Sequence, residues 1–203
     1  MHQTKVAGAR RPPKKENLMS SATTAATPAT YTIDPAHSGA GFKIRHFMVA
    51  YFRGGFSGIT GDVIFDPSNP SNTKINASID ATTLHTHDAK RDAHVKGADF
   101  FDVEKYPTIS FVSKKVTPDG KHQWKVVGDL TLHGVTKEVT LDVESAEAEA
   151  KDPWGNLRSG ASAETTIKRS EFGLSFNAPL ETGGFMLSDE VHVNLDIELV
   201  RKA

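Results

Sequence analysis

RDAHVKGADFFDVEKYPTISFVS, residues 91–113, changes character along its length. With Asp88 ahead of it, the first part predicts a short helix over 88–96. Asp88 is placed to cap the free amides, and Asp92 complements the positive helix end. Gly97 stands where such a helix stops, since glycine adopts the left-handed cap without steric cost. Phe100 and Phe101 follow, fenced by Asp99 and Asp102. Tyr106-Pro107 then breaks local structure. Thr108 to Ser113 alternates as a strand, with Ile109 and Phe111 on one face and Ser110 and Val112 on the other. One helix leading into a strand, among strand patterns everywhere else, predicts the plug of a β-barrel, its Phe pair closing one end.

The pattern extends in both directions. Ala40, Phe42, Ile44 and His46 share one face of a predicted strand, with Gly41, Lys43 and Arg45 on the other. Gly54-Gly55 predicts a bend or bulge. Phe56 to Phe65 predicts a strand coiled at Gly58 and Gly61. Lys74 to Ala81 follows with Ile75, Ala77 and Ile79 inward. A turn is expected at Pro118-Asp119-Gly120, and a hairpin at His133-Gly134 joins Gln123–Leu132 to the strand after it. Ala161 to Ile167 is a strand of small residues, with Arg169 beyond it. Val191 to Leu199 alternates most cleanly, with Val191, Val193, Leu195, Ile197 and Leu199 inward. About eight strands with short links and no run of long helices predict an all-β fold, an eight-stranded antiparallel barrel with one short helix. Eight strands can close round a single ligand.

Composition narrows the function. The chain has 203 residues and no cysteine, which excludes disulfides, thiolate metal sites and Cys nucleophiles. Residues 1–18 carry five basic groups and one acidic, a net of +4, leaving −5 of the overall −1 for the remainder. An acidic body argues against nucleic acid as partner. No apolar run reaches the ~20 residues of a membrane-spanning helix. Residues 1–30 are rich in Ala, Thr, Pro and Lys with little to bury, and are expected to be disordered, the folded domain occupying 31–203. They lack the apolar run of a secretory signal. Met19 opens the Ala/Thr-rich run, and translation is expected to begin there.

Six segments carry a family resemblance: IDPAHSGAGFKIRH (33–46), FSGITGDVIFD (56–66), residues 91–113, GDLTLHGVTKEVTL (128–141), DPWGNLRSGASAETTIKRSEFGLSF (152–176) and DEVHVNLDIELV (189–200). In order and spacing they resemble the YceI-like family, from about Tyr31 to Val200. The resemblance implies a lipocalin-like barrel whose long cavity binds a polyisoprenoid or another long-chain amphiphilic lipid. It also implies a homodimer, and no catalytic residues or cofactor beyond the bound lipid. Many members are periplasmic and carry a signal peptide. This chain departs from them there, so a cytoplasmic location is expected instead. Alternation and resemblance together assign the pore to Phe42, Ile44, Phe65, Ile79, Phe111, Leu132 and Ile167, with Phe100 and Phe101 near the helix.

Each candidate has a competing reading. The apolar set could simply fill a solid barrel core, leaving an interaction module. His37, His46, Arg91 and His133 are candidate contacts to a lipid head group, because a phosphate needs cations and donors. Equally, Arg91 could pair with Asp88, Asp92 or Asp99, and the histidines with turn carbonyls. His85-Thr86-His87, with His94 nearby, has the spacing of a partial zinc site, yet nothing fixes a third ligand, and no metal is expected. Ser170 has no base beside it. A lipid-binding protein is the expected function. A His-dependent metalloenzyme or hydrolase using the same cavity is the alternative.

Overall fold

The structure is a computed structural model that describes residues 27–66, 68–146, 148–181 and 183–203. The stretches expected to be disordered and to contain the translation start lie, up to residue 26, outside the described residues. Eleven strands run β1 (Ala29–Ile33), β2 (Gly39–His46), β3 (Ala50–Phe56), β4 (Ile59–Phe65), β5 (Lys74–Asp80), β6 (Thr108–Gly120), β7 (Gln123–Leu132), β8 (Val135–Ser145), β9 (Ala150–Lys151), β10 (Leu157–Lys168) and β11 (Leu187–Arg201). Among the described residues one α-helix, α1 (Ala89–Lys96), interrupts them between β5 and β6.

β11 closes the barrel. Along one edge it pairs antiparallel with β10 from Glu190 to Val200. Along the other it pairs with β2 up to Asp196 and then with β1 from Leu199 to Arg201. The bend at Asp34-Pro35 lets one edge serve two strands in turn. The ring β1-β4-β5-β6-β7-β8-β10-β11 therefore has eight antiparallel members and no free edge. β2 and β3 lie outside this cycle, β2 paired to β11 and β3 to β2, and Gly55 bridges onward to His85. The eight-stranded barrel with a single helix agrees with the sequence reading.

Four local expectations are corrected. Gly54-Gly55 lies inside β3 and makes no bend. A Cβ at Gly54 would stand 2.4 Å from the Phe42 ring, so the glycine is required by a close approach. Gly97 does cap α1, its amide donating to His94 O at 3.1 Å, but in an extended conformation (φ −74°) instead of the left-handed one. Pro118-Asp119-Gly120 belongs to β6, at a break in its register with β7 where a ladder amide is not needed. The strand starts at Ala29, ahead of Tyr31. Asp88 caps α1 as expected, accepting from the Arg91 amide at 2.9 Å.

α1 and the β5–β6 connection sit at the end of the barrel where β7 turns into β8 and where β10 ends. There Ala81, Leu84, Ile59 and Phe172 are almost completely buried. The flank nearer the opposite end is held by charge. Arg158 on β10 donates to Asp152 at 2.8 Å and Asp34 at 2.7 Å, and also pairs with Glu198. The Arg158 guanidinium first, and His37 second, hold the Asp34 carboxyl down at about 2. A depressed carboxylate stabilises the fold above its unfolded value of about 4, and that stabilisation disappears as pH falls through about 2. Arg158→Gln is expected to lower the thermal midpoint at pH 7, with the difference from the parent narrowing toward pH 2. A melting series over that range checks it.

Candidate functional site

The inward faces of the strands enclose a cavity of about 350 Å³ under α1, within the roughly 300–1,000 Å³ usual for small-molecule sites. Its wall comes from β2, β3, β5–β8, β10 and β11, and its roof from the β5–β6 connection and the segment after β10. Phe42, Phe52, Phe56, Phe100, Phe101, Phe111 and Phe176 supply seven aromatic rings.

These rings leave a lumen because of what lies behind them. Phe42 is paired across the ladder with Gly54, and a Cβ there would collide with its ring. Phe111 lies over Gly128 on β7 in the same way, 2.5 Å from where a Cβ would be. Each ring thus lies back into the wall over a residue without a side chain. Small residues on β2 (Ala40, Gly41) add further room. The Phe pair of the connection closes the top. Phe101 meets Phe56 at 5.4 Å and Phe42 at 6.5 Å, and Phe100 meets Phe176 at 5.0 Å and His94 at 5.2 Å.

Polarity is confined almost wholly to the α1 end. Of thirty lining residues, six are polar: His46, Thr86, Arg91, His94, Thr165 and Arg169. Thr165 turns its hydroxyl to Thr140 O at 2.8 Å. The other five stand on the hairpin end of β2, on the roof or just after β10. Asp92 fixes Thr86, accepting from its amide at 2.6 Å and its hydroxyl at 2.5 Å. Those hydrogen bonds hold the Asp92 carboxyl below its ordinary range. Thr86 in turn accepts from Arg91, at its hydroxyl (2.7 Å) and its carbonyl (2.5 Å), and the guanidinium lies 4.0 Å over the Phe52 ring. Among the described residues Arg91 forms no ion pair with Asp88, Asp92 or Asp99.

Arg169 is the unusual group. It is 7% exposed, and its guanidinium donates only to main-chain carbonyls: Ser188 at 2.9 Å, Leu174 at 2.5 Å and Phe176 at 2.9 Å. Among the described residues no carboxylate reaches it within ion-pair distance. Burial pushes its pKa down, with Asp189 opposing from farther off. A buried cation without a counter-ion is costly, and this one lines a cavity.

Of the residues assigned to the pore, Phe42, Ile44, Ile79, Phe100, Phe101, Phe111, Leu132 and Ile167 line this cavity. Phe65 does not. It packs edge-on against Trp124 (5.6 Å) at the opposite end of the barrel. Alternation gives the face of a strand but not the height along the axis. Of the head-group candidates, His46 and Arg91 line the cavity. His37 is outside it, 3.0 Å from Asp34 on the charged flank. His133 sits in the β7–β8 turn, donating to Phe172 O at 3.2 Å and meeting the Tyr106 ring edge-on at 4.5 Å. The alternation missed Phe52, His94, Phe176 and Arg169. One more step of two from Ile167 would have pointed Arg169 inward. His85 and His87 do lie together, ring centres 5.0 Å apart, but His94 turns to Asp99 at 2.8 Å. Asp34, His37 and Glu198 converge closely enough to hold a metal ion, and Arg158 already supplies positive charge to both carboxylates. Among the described residues no helix is long and apolar enough to cross a membrane.

A closed eight-stranded barrel with a lidded apolar cavity places the protein among the lipocalin-like barrels. Residues 31–199 match the YceI-like domain, and the chain belongs to that family. It is 39% identical over 176 residues to a UPF0312 protein of Photorhabdus laumondii, covering 86% of this chain and 88% of the relative. A UPF0312 protein of Vibrio cholerae is 38% identical over 152 residues, covering 74% and 80%. Among solved structures, Burkholderia cenocepacia BcnA superposes with a TM-score of 0.71 at 26% identity, over 82% of this chain and 98% of BcnA. A polyisoprenoid-binding domain from Saccharophagus degradans shares the fold, with a TM-score of 0.63 at 16% identity over 86% and 99%.

The glycines behind the rings give a test. Gly54→Ala is expected to swing the Phe42 ring into the lumen, at a cost of about 1–3 kcal/mol of stability. Uptake of an environment-sensitive apolar dye, titrated against parent and variant, should fall in the variant.

Proposed function

We propose that this protein binds one long-chain amphiphilic lipid in the barrel, a polyisoprenoid, an isoprenoid quinone or a fatty-acid derivative, for storage, transport or sequestration. The observation that carries the reading is the cavity's asymmetry: an apolar interior with its polar groups gathered at one end. An apolar tail gains about 0.8 kcal/mol per buried methylene, so ten such groups contribute about 8 kcal/mol before ordering costs. No catalytic group is needed for that. His46, Arg91, His94 and Arg169 are the candidate partners of the head group. An acidic head would give Arg169 the counter-ion that no described carboxylate supplies within ion-pair distance. Family membership and the polyisoprenoid-binding domain of the same fold support the reading.

Calorimetric titration of the lipid-stripped protein with a polyisoprenyl phosphate and with the matching alcohol tests it. Both should bind, the phosphate more tightly, and Arg91→Gln should narrow the gap between them. Phe111→Asp places an unpaired charge on the pore wall and should weaken both ligands at least about tenfold, at a cost on the order of 2 kcal/mol or more. Failure of both ligands to bind the parent would overturn the proposal.

A further inference from the structure

The β2–β3 hairpin projects from the α1 end, and its tip has an unusual composition. His46 O accepts from the Val49 amide at 3.2 Å, and the two central residues, Phe47 and Met48, have φ of 51° and 59°. Positive φ at both central positions is the mark of a type I′ turn, which favours Asn and Gly. Here it holds two large apolar residues, strained in backbone and turned to solvent. Phe47 is 46% exposed, Met48 52% and Val49 78%. The Phe47 amide donates to Met186 O at 2.7 Å, and the preceding residue, Phe185, is itself 59% exposed. His46 and Met186, the neighbours of these residues in sequence, line the cavity. The apolar patch therefore adjoins the cavity lining at the α1 end.

The outer face of the same hairpin is basic. Lys43 and Arg53 stand directly opposite each other across the ladder, an unfavourable pairing of like charges. Arg45 lies beside them, its guanidinium 4.1 Å over the Tyr51 ring. Among the described residues none of the three has a carboxylate within ion-pair distance. In the Leu187–Val191 bulge of β11, which faces this part of β2, the acids are Asp189, engaged by Ser170 at 2.7 Å, and Glu190. Strained exposed apolar residues and unpaired opposed cations both cost the isolated protein stability. Both become favourable against an anionic lipid bilayer, where apolar side chains enter the acyl boundary and basic ones meet the head groups. A second copy docked face to face would set the cations against themselves.

We propose that Phe47, Met48, Val49 and Phe185, flanked by Lys43, Arg45 and Arg53, form a surface that docks on anionic bilayers and sets the α1 end of the cavity against the membrane. The proposal rests on the lipid-pore reading for its purpose, but not for its test. Co-sedimentation of the full chain is compared on vesicles of phosphatidylcholine alone and of equal parts phosphatidylcholine and phosphatidylglycerol. Binding is expected to the mixed vesicles and to weaken with salt. Phe47→Asn with Met48→Gly installs the residues that this turn prefers, so it should hold or raise the melting temperature. The same variant should weaken vesicle binding at least about tenfold. Lys43→Gln with Arg53→Gln should remove most of the preference for phosphatidylglycerol. Lipid delivered from detergent should still enter the cavity of either variant, which separates this proposal from the pore itself. No binding to mixed vesicles, or equal binding by the Phe47/Met48 variant, would overturn it. So would a parent protein that dimerises through this tip and leaves vesicles untouched.

Discussion

The structure depends on the double duty of β11. One edge is committed to β10, while the other pairs first with β2 and then with β1, and the β10 and β1 pairings together close the ring. Without closure, eight strands would form an open sheet with two unpaired edges and one face too apolar for water. Closure turns that face inward, and what it encloses is then decided by side-chain size. The register of β11 also sets Val191, Val193 and Leu195 opposite Ile44, Phe42 and Ala40, so the strand that shuts the barrel lines its cavity as well.

A barrel of this size ordinarily fills with its own side chains. Here the largest of them are set back into the wall, because Phe42 and Phe111 lie over Gly54 and Gly128. The roof adds Phe100 and Phe101 across the top, where α1 and its capping Asp88 fix the path of the chain. The same connection carries the polar groups. Asp92 orders Thr86, and Thr86 orders Arg91, so a helix only two turns long supports both a lid and an oriented guanidinium. Arg169, held by three carbonyls, adds a second cation from the segment just after β10.

Much of this was legible in the sequence. Two-residue alternation placed Phe42, Ile44 and Phe111 on the inward face, and the capping pattern placed α1 within a residue. Alternation carries no information on height along the barrel, which is why Phe65 was grouped with residues at the other end. Glycine pairs were ambiguous for a related reason. A bend and a close ring approach both select glycine, and only the ladder register shows that Gly54 faces Phe42. His37 and His133 were polar residues at turns, and the turns themselves use them. Arg169 escaped notice because a buried cation without a carboxylate partner runs against the usual rule for interiors.

Whether the barrel holds a lipid is read by native mass spectrometry of the full chain as purified, with organic extraction and mass analysis of whatever is released. One bound species per chain is expected, with a long hydrocarbon tail and a head group able to accept hydrogen bonds from arginine. A protein at its bare mass, remaining bare after incubation with isoprenoid and fatty-acid mixtures, would contradict it.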